Sequence, residues 1–410
     1  MHTTIIGGGA AGFFAAVNLK EMMPEMGVTI LERGRHVLRK VEVSGGGRCN
    51  CTNTFEGLSA GQSSSRDIPD LSAVYPRGHR LMRRLFNVFD HRAAFEWWER
   101  HGVPLVVQPD HCVFPASQDS HTIINCLMNE AHRTGVMIRT SQSVASIDDL
   151  PGSDFIIVAT GGAPHAGRYE WLRALGHEIE PPVPSLFSLS TDDAGLKELM
   201  GTVAEQAIVQ LPGTRQRARG ALLLTHWGMS GPAILRLSSY GARVLHDSGY
   251  KGSIMVNWTG LDEETVRETV AQLATAHRMR LTANTASFDL SQRLWNYLIA
   301  KAVGNKAKVR WCDLGKKDLN RIVNVLVSDC LRFTGRAPFH DEFVTCGGVS
   351  LKSINPATME SRTRPGLYFA GEVLDIDGIT GGFNFQAAWT TAYVAAQAIY
   401  LKFRSLGDSF

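Results

Sequence analysis

The most informative segment of this 410-residue chain is Thr3-Thr4-Ile5-Ile6-Gly7-Gly8-Gly9-Ala10-Ala11-Gly12. Its apolar start predicts a short buried strand, and residues 13–19 continue it with a helical pattern. Gly7, Gly9 and Gly12 have the G-x-G-x-x-G spacing in the strand–turn–helix context that this fingerprint requires. The first glycine makes the tight turn, the second lets the backbone approach a pyrophosphate, and the third lets the helix pack close to the strand. The segment therefore predicts a dinucleotide-binding site.

A second predicted strand supports this interpretation. Val28-Thr29-Ile30-Leu31 is apolar and ends at Glu32, 20 residues beyond Gly12. An acid at this distance accepts hydrogen bonds from the adenosine ribose. The first helix would direct its free N–H groups and the positive end of its dipole toward the pyrophosphate.

The composition excludes several classes of protein. Hydrophobic residues make up 44% of the chain and charged residues 20%, as in a globular protein rather than a disordered one. No run reaches the roughly 18 apolar residues of a membrane helix, and the N-terminus lacks a signal-peptide pattern, so we expect a cytoplasmic protein without a membrane partner. The net charge of +3 neither requires nor excludes a nucleic-acid partner.

The seven cysteines form no CxxC pair. This spacing disfavours a disulfide framework, a zinc site and a redox-active dithiol, and we predict no bound metal.

Two later segments resemble the FAD contacts of the glutathione-reductase-like flavoproteins. The first is a predicted strand that ends in Ala159-Thr160-Gly161-Gly162, and the second is a strand that ends in Gly371-Glu372. Gly381-Gly382-Phe383-Asn384 and a predicted helix over residues 385–400 follow the second strand. The resemblance implies that Glu372, where the wider group usually has Asp, holds the ribityl chain. It also implies that the last helix directs its N-terminus at the flavin N1–C2=O edge, where reduced flavin carries negative charge.

The loop Ser44-Gly45-Gly46-Gly47-Arg48-Cys49-Asn50-Cys51-Thr52-Asn53 is the most distinctive segment. Three consecutive glycines exclude a regular helix and permit a backbone pressed against a flat ligand. Arg48 can reach a phosphate or a reduced flavin. Cys49 beside a cation can have a lowered pKa, although a packing role for this small residue has equal weight; for Cys51 we favour packing.

This loop, together with Gly-Glu-x-x-Asp-x-x-Gly-x-x-Gly-Gly-Phe-Asn over residues 371–384, resembles the BaiN/RdsA group of FAD-dependent oxidoreductases, the YhiN-type flavoproteins. The similarity extends along essentially the whole chain. It includes Thr225-His226-Trp227-Gly228-Met229-Ser230-Gly231-Pro232 and Thr345-Cys346-Gly347-Gly348-Val349. One departure is Cys112-Val113-Phe114-Pro115, because the family often has Arg in the place of Cys112.

Fingerprint and resemblance together predict non-covalently bound FAD. The predicted cofactor-binding residues are Gly7, Gly9, Ala10, Ala11, Gly12, Glu32, Arg33, Lys40, Ser44, Gly47, Arg48, Cys49, Asn50, Val144, Ala159, Thr160, Gly161, Gly371, Glu372, Gly382, Phe383 and Asn384. Cys49 and His226 are the candidate proton donors.

The motifs predict an α/β fold with a Rossmann-like, glutathione-reductase-like FAD domain completed from both ends of the chain. This domain comprises residues 1–183 and 338–410. Residues 184–260 are expected to form an inserted β-rich subdomain, and residues 261–337 a small helical one. Within the FAD domain, residues 57–76 predict a surface loop and residues 86–98 an amphipathic helix.

Two basic stretches raise the question of an RNA partner. The first contains Arg77, His79, Arg80, Arg83 and Arg84; the second contains Lys301, Lys306, Lys308, Arg310, Lys316, Lys317 and Arg321, with Trp311 inside it. They could follow a phosphate backbone, with Trp311 as a stacking residue, but an ordinary solvated face is the more frequent explanation.

The chain has one dinucleotide fingerprint, so NADPH or NADH, if used, would visit the flavin transiently. The family resemblance implies reduction of a conjugated C=C bond, and we favour uridine in ribosomal RNA, which would become dihydrouridine. The alternatives are a small enone such as an unsaturated keto-steroid, an oxidase of small amines or amino acids and, last, a sensor without turnover. The sequence does not indicate the oligomeric state.

Overall fold

A computed structural model describes residues 1–56, 58, 70–150, 152–163, 165–304, 308–337 and 344–407. The chain divides into two compact units, Met1–Pro184 with Val344–Phe410, and Ser185–Phe343. Most of the loop predicted at residues 57–76 lies outside the described residues.

The strands, numbered in chain order, are β1 His2–Ile6, β2 Gly27–Leu31, β3 Thr52–Asn53, β4 Leu105–Val107, β5 Cys112–Pro115, β6 Met137–Arg139, β7 Phe155–Val158, β8 Ile179–Ser185, β9 Leu189–Ser190, β10 Val203–Ala204, β11 Ile208–Gln210, β12 Arg217–Arg219, β13 Leu222–Leu224, β14 Gly228–Ser230, β15 Gly252–Asn257, β16 Asp329–Phe333, β17 Gly335–Arg336, β18 Val344–Val349 and β19 Leu367–Phe369.

The helices are α1 Ala10–Met22, α2 Arg39–Gly47, α3 His79–Leu85, α4 His91–Arg100, α5 Ser120–Arg133, α6 Glu170–Ala174, α7 Ala194–Glu198, α8 Pro232–Tyr240, α9 Ala242–Asp247, α10 Glu263–Ala276, α11 Gln292–Val303, α12 Lys316–Val327 and α13 Phe383–Gly407. Short 3₁₀ turns occur at Leu71–Ala73, Ile147–Asp149, Ala166–Tyr169, Thr282–Asn284, Trp311–Asp313, Leu351–Ser353 and Gly371–Val373.

A parallel sheet with the order β19-β7-β1-β2-β6 forms the centre of the first unit. Central strand β1 pairs with both neighbours, and its Ile5 lies beside Ile30 of β2 and Ile157 of β7. These isoleucines are fully buried, as expected for a parallel sheet that is covered on both faces. Parallel strands end at one edge of the sheet, so the segments that follow β1, β2 and β7 meet there. The predicted α/β Rossmann-like class is confirmed.

The helix predicted over residues 86–98 is wrong in its bounds. Helix α3 ends at Leu85 and α4 begins at His91. The Asp90 carboxylate accepts a hydrogen bond from the Ala93 N–H at 2.9 Å, which caps the second helix. Phe86 and Phe89 fill the turn between the helices and are buried, so their apolar spacing imitates a continuous helix.

The second unit contains two sheets, β10-β13-β14-β9-β17 and β12-β11-β15-β16. Its hydrophobic core includes residues from both predicted subdomains, such as Met229 and Val256 from the first and Leu294 and Ile322 from the second. The predicted boundary at residues 260–261 lies inside this unit, and helices α8 and α9 lie in the segment predicted to be β-rich. How these parts divide into domains stays a prediction. Within the described ranges, we find no helix with the length and apolarity to cross a membrane.

A buried imidazole directly after α4, that of His101, predicts a pH-dependent stability. His101 Nε2 lies 2.5 Å from Glu21 Oε1, and its ring stacks on Trp97 with the centroids 3.8 Å apart. Burial is the largest single effect and opposes protonation, but the hydrogen bonds to Glu21 and to the Trp97 carbonyl, together with the charge of Glu21, outweigh it and raise the His101 pKa. A raised pKa means that the stabilisation is complete below the unfolded-state pKa of about 6.5 and is lost as the pH rises through the folded-state pKa.

We therefore expect the melting temperature of the protein to exceed that of His101→Gln by more at about pH 5.5 than at about pH 9. Thermal denaturation across this range measures the difference. Glu21→Gln serves as a second variant and should remove the same pH dependence. A gap between wild type and His101→Gln that stays constant with pH would contradict the assignment.

Candidate functional site

In the glycine turn after β1, a side chain would fit at Gly9 but would clash at Gly7 and Gly12. A Cβ on Gly7, whose φ is +116°, would lie 2.2 Å from the Ala159 carbonyl oxygen, and a Cβ on Gly12 would lie 2.0 Å from the Gly7 carbonyl oxygen. A Cβ on Gly9 would meet nothing within 4 Å. Gly7 and Gly12 are thus required by the protein's own packing, whereas Gly9 leaves space. Gly9 also caps α1 without a side chain, so the first-turn N–H groups can bind an anion.

The Glu32 carboxylate is held in place by backbone amides. Its Oε2 accepts from Gly8 N at 2.8 Å, and its Oε1 accepts from Gly34 N at 2.7 Å. Each carboxylate oxygen can accept another hydrogen bond, so Glu32 can still receive two ribose hydroxyls. The Gln142 N–H donates to the Glu32 carbonyl at 2.9 Å and fixes the loop that leads to half-buried Val144. Arg33 is exposed beside this carboxylate.

Lys40 and Glu372, which are 332 positions apart, form a salt bridge of 2.8 Å between Nζ and Oε2. The second oxygen of Glu372 accepts from the Thr345 N–H at 2.8 Å. A Cβ on Gly162 would lie 2.4 Å from this oxygen, so the carboxylate lies directly against the turn after β7. In the same turn, Thr160 is exposed and a Cβ on Gly161 would meet nothing within 4 Å.

The glycine–arginine–cysteine loop is fastened to the start of α13. In the orientation that satisfies its hydrogen bonds, the Asn50 amide oxygen accepts from Gly382 N at 3.2 Å. Thr52 Oγ1 donates to Gln386 Oε1 at 2.5 Å, and Trp389 Nε1 donates to the Cys51 carbonyl at 2.8 Å. Gln386 and Trp389 were missed by the sequence reasoning, because nothing in a helical pattern marks the partners of a distant loop.

The N-terminus of α13 begins at Phe383, two residues earlier than predicted, and so includes part of the predicted motif. Gly382 has a φ of +85°, and a Cβ there would lie 2.3 Å from the Thr52 carbonyl oxygen. The Asn384 amide bridges the N–H and the carbonyl of Gly378 at 2.8 and 3.0 Å. Asn384 therefore shapes the loop that precedes the helix.

The triple glycine departs from helical geometry as predicted. Gly45 and Gly46 have φ values of +58° and +68°, and Ser44 is extended. The Ser44 hydroxyl donates to the Val41 carbonyl at 2.8 Å and closes the preceding turn. A Cβ on Gly46 or Gly47 would meet nothing within 4 Å, so this loop presents bare backbone.

The expectation of a lowered pKa for Cys49 is wrong. Burial raises the pKa of this thiol to about 12, and a hydrogen bond with Ser44 only partly offsets the effect. Arg48 does not provide the expected cation, because its guanidinium lies over the Phe114 ring, 4.4 Å from the centroid, and donates to Gln118. Cys51 is also buried, with a raised pKa, in keeping with packing. His226, the other candidate proton donor, belongs to the second unit and is exposed beside Trp227.

In both basic stretches, the structure leaves fewer cations available for a phosphate backbone than the sequence suggests. Arg77 is not a free surface cation, because it forms an ion pair with fully buried Asp377. Lys301 Nζ lies 2.6 Å from Asp329 Oδ1. Trp311 is buried and donates its Nε1–H to Thr285 at 2.9 Å, so the idea that it stacks on bases is wrong. Lys306 lies outside the described residues. Besides Lys301, the exposed cations of the second stretch are Lys308, Arg310, Lys316, Lys317 and Arg321.

These features fit FAD: an open glycine at a helix N-terminus, a fixed acid after the second strand, a second acid near the last strand and a bare glycine loop. Sequence comparisons agree. A ribosomal RNA dihydrouridine synthase of Escherichia coli K12 is 28% identical, with 96% of each chain covered. A protein of the same description from Haemophilus influenzae Rd is 27% identical over 96% of this chain and 97% of its own. A 3-dehydro-bile acid delta(4,6)-reductase of Clostridium scindens is 25% identical over 96% and 98%.

The family model described as "HI0933-like protein Rossmann domain" matches residues 1–398. The resemblance to the BaiN/RdsA flavoproteins is thereby confirmed. The chain belongs to this HI0933-like family and is an FAD-dependent oxidoreductase of the RdsA/BaiN type.

Proposed function

We propose that the chain reduces a C=C bond conjugated to a carbonyl group, and that its substrate is uridine in ribosomal RNA. The observation that carries this proposal is the end-to-end similarity to relatives with two different substrates. Uridine has a C5=C6 bond conjugated to its C4 carbonyl, and a 3-keto steroid with a Δ4 bond has the same arrangement. The shared reaction is addition of hydride to the β-carbon and of a proton to the α-carbon.

FAD, when bound, supplies the hydride for this reaction. Gly9 and the first-turn amides of α1 would hold its pyrophosphate, and Glu32 its ribose. Glu372, oriented by Lys40 and the Thr345 amide, would accept from the ribityl chain. The N-terminus of α13 would favour negative charge on a reduced flavin. Arg33, Arg48 and Val144 complete the proposed contacts. Arg48 would do so after leaving Phe114.

RNA is favoured over a small enone by the exposed cations of the second unit. Lys308, Arg310, Lys316, Lys317 and Arg321 are all exposed. Of these cations, Arg321 forms an ion pair with Asp318, with 3.8 Å between its Nη1 and the Asp318 Oδ1. Such a long, exposed pair can break when a phosphate approaches. A phosphate backbone makes use of such cations, whereas an uncharged enone does not.

The electron donor can be tested with the isolated holoenzyme. We expect NADPH or NADH, docking transiently, to bleach the yellow absorbance of the flavin under anaerobic conditions. The reduced enzyme should then be reoxidised by ribosomal RNA from a strain that lacks this gene. No bleaching by either nucleotide, with bleaching by amines or amino acids instead, would establish an oxidase and overturn the proposal. If a keto-steroid and not RNA reoxidises the reduced enzyme, the substrate class is restricted to small enones.

The proton donor is proposed to be Cys49 or His226, and the chemistry favours His226. A thiol with a pKa of about 12 is a poor acid near neutral pH, which counts against Cys49. We expect His226→Ala to lower the rate of product formation by about 100-fold, and Cys49→Ala by less than about tenfold, with FAD content unchanged in both. Single-turnover reoxidation of the reduced enzyme measures each rate. A larger loss of rate in Cys49→Ala than in His226→Ala would identify Cys49 as the proton donor.

A further inference from the structure

One sheet of the second unit has a solvent face rich in arginine. In the antiparallel sheet β12-β11-β15-β16, alternate residues such as Val209, Ala218 and Val256 are buried in the core. The residues between them are directed to the opposite face, which we call the arginine face. Its members that matter here are Gln210, Arg217, Arg219, Ser253, Met255 and Arg332.

The strand register places the arginines at both edges of this face. Arg217 and Arg219 lie on edge strand β12, about 7 Å apart along the strand, and Arg332 lies on the opposite edge strand β16. Gln210 pairs with Arg217 on one side and with Met255 on the other, and Ser253 pairs with Arg332. Three steps between strands separate the two edges, roughly 14 Å. Positive charge therefore flanks a centre in which Gln210 and Ser253 lie beside the apolar side chains of Ile208 and Met255.

The charge of this face is not neutralised by any residue that the structure describes. In the described ranges, none of its three arginines forms a salt bridge. No outward position of the four strands is acidic, since Asp329 of β16 faces inward and binds Lys301. Lys251 lines a pocket of about 420 Å³ together with Ser253 and Arg332, which adds a further cation at one corner.

We propose that the arginine face binds the sugar–phosphate backbone of base-paired RNA, an inference that rests on the proposed function. Guanidinium groups pair with phosphate oxygens through two parallel hydrogen bonds. Gln210 and Ser253 offer hydrogen bonds suited to 2′-hydroxyls, which duplex RNA displays along its shallow groove. The outward positions carry no aromatic side chain, so the face lacks the stacking platform that single-stranded RNA requires.

The test measures binding of a fluorescent RNA hairpin by the holoenzyme as a function of salt. We expect the triple variant Arg217→Gln/Arg219→Gln/Arg332→Gln to bind about 10- to 50-fold more weakly near 0.15 M salt, with a salt slope smaller by about 2 to 3. The control Arg133→Gln/Arg173→Gln/Lys352→Gln removes the same charge from exposed positions of the first unit and should bind like wild type. A single-stranded RNA of equal length should bind wild type at least about tenfold more weakly.

The outcomes separate this inference from the proposed function. If the triple variant of the arginine face binds the RNA hairpin as tightly as wild type, the inference is overturned. If Lys316→Gln/Lys317→Gln/Arg321→Gln then shows the loss of RNA affinity instead, RNA binding belongs to α12. In either case, continued formation of dihydrouridine would leave the proposed function standing. Equal binding of single-stranded RNA would contradict the assignment to base-paired RNA. Failure of wild type to bind or reduce any RNA would overturn both proposals.

Discussion

Gly7→Ala is expected to yield a protein destabilised by more than about 3 kcal/mol that does not retain FAD. The new methyl group would lie 2.2 Å from a backbone oxygen, that of Ala159, which cannot move without shifting β7. The φ of +116° at Gly7 adds conformational strain for any residue with a Cβ. Urea unfolding of the apoprotein measures the loss, and the absorbance of the purified protein measures FAD content.

Gly9→Ala provides the matched control, because its methyl group would meet no atom of the chain within 4 Å. We expect an apoprotein as stable as wild type within about 0.5 kcal/mol, but with an affinity for FAD at least about tenfold lower. Stability must be compared without FAD, since a ligand that binds the folded state raises apparent stability. Wild-type affinity in Gly9→Ala would show that the open space beside α1 does not hold the pyrophosphate.

Asp377→Ala is expected to destabilise the protein by about 3 to 5 kcal/mol. The Asp377 side chain is fully buried, and that of Arg77 is only 16% exposed. The Arg77 Nε donates to Asp377 Oδ1 at 2.5 Å, so removal of the carboxylate leaves a buried guanidinium without this counter-ion. The segment around Asp377 leads into Gly381 and Gly382, and we therefore expect FAD content to fall as well.

Two comparisons identify the cause of that loss. Glu170→Ala removes an acid from the exposed pair with Arg173 and should change the free energy of unfolding by less than about 1 kcal/mol. The double variant Arg77→Met/Asp377→Leu replaces both charges by apolar groups and should recover part of the stability. If the midpoint of urea unfolding is the same for Asp377→Ala and wild type, the ion pair does not stabilise this part of the fold.

The start of the Rossmann-like fold and its dinucleotide site were predictable because their signals are local. The glycine fingerprint, the strand before it and Glu32 lie within the first 32 residues, where spacing alone constrains geometry. The triple-glycine loop likewise reveals its departure from a helix within three positions. Such features depend on backbone conformation, which neighbouring residues determine.

The features that sequence reasoning missed depend on distant partners. Nothing local indicates that Lys40 meets Glu372, or that Arg77 leaves its basic neighbours for Asp377. The pKa of Cys49 was predicted in the wrong direction because burial, which only the folded chain determines, outweighs an adjacent arginine that faces elsewhere. Trp311 lies among exposed cations in the sequence and yet fills the core.

The most direct test of the central claim uses reduced holoenzyme and RNA alone. The enzyme would be photoreduced without oxygen and mixed with ribosomal RNA from a strain that lacks this gene. Absorbance would follow the flavin, and mass spectrometry would examine the nucleosides. We expect the yellow absorbance to return as one uridine gains two hydrogen atoms and becomes dihydrouridine. A flavin that stays reduced in the presence of this RNA, with every uridine unchanged, would contradict it.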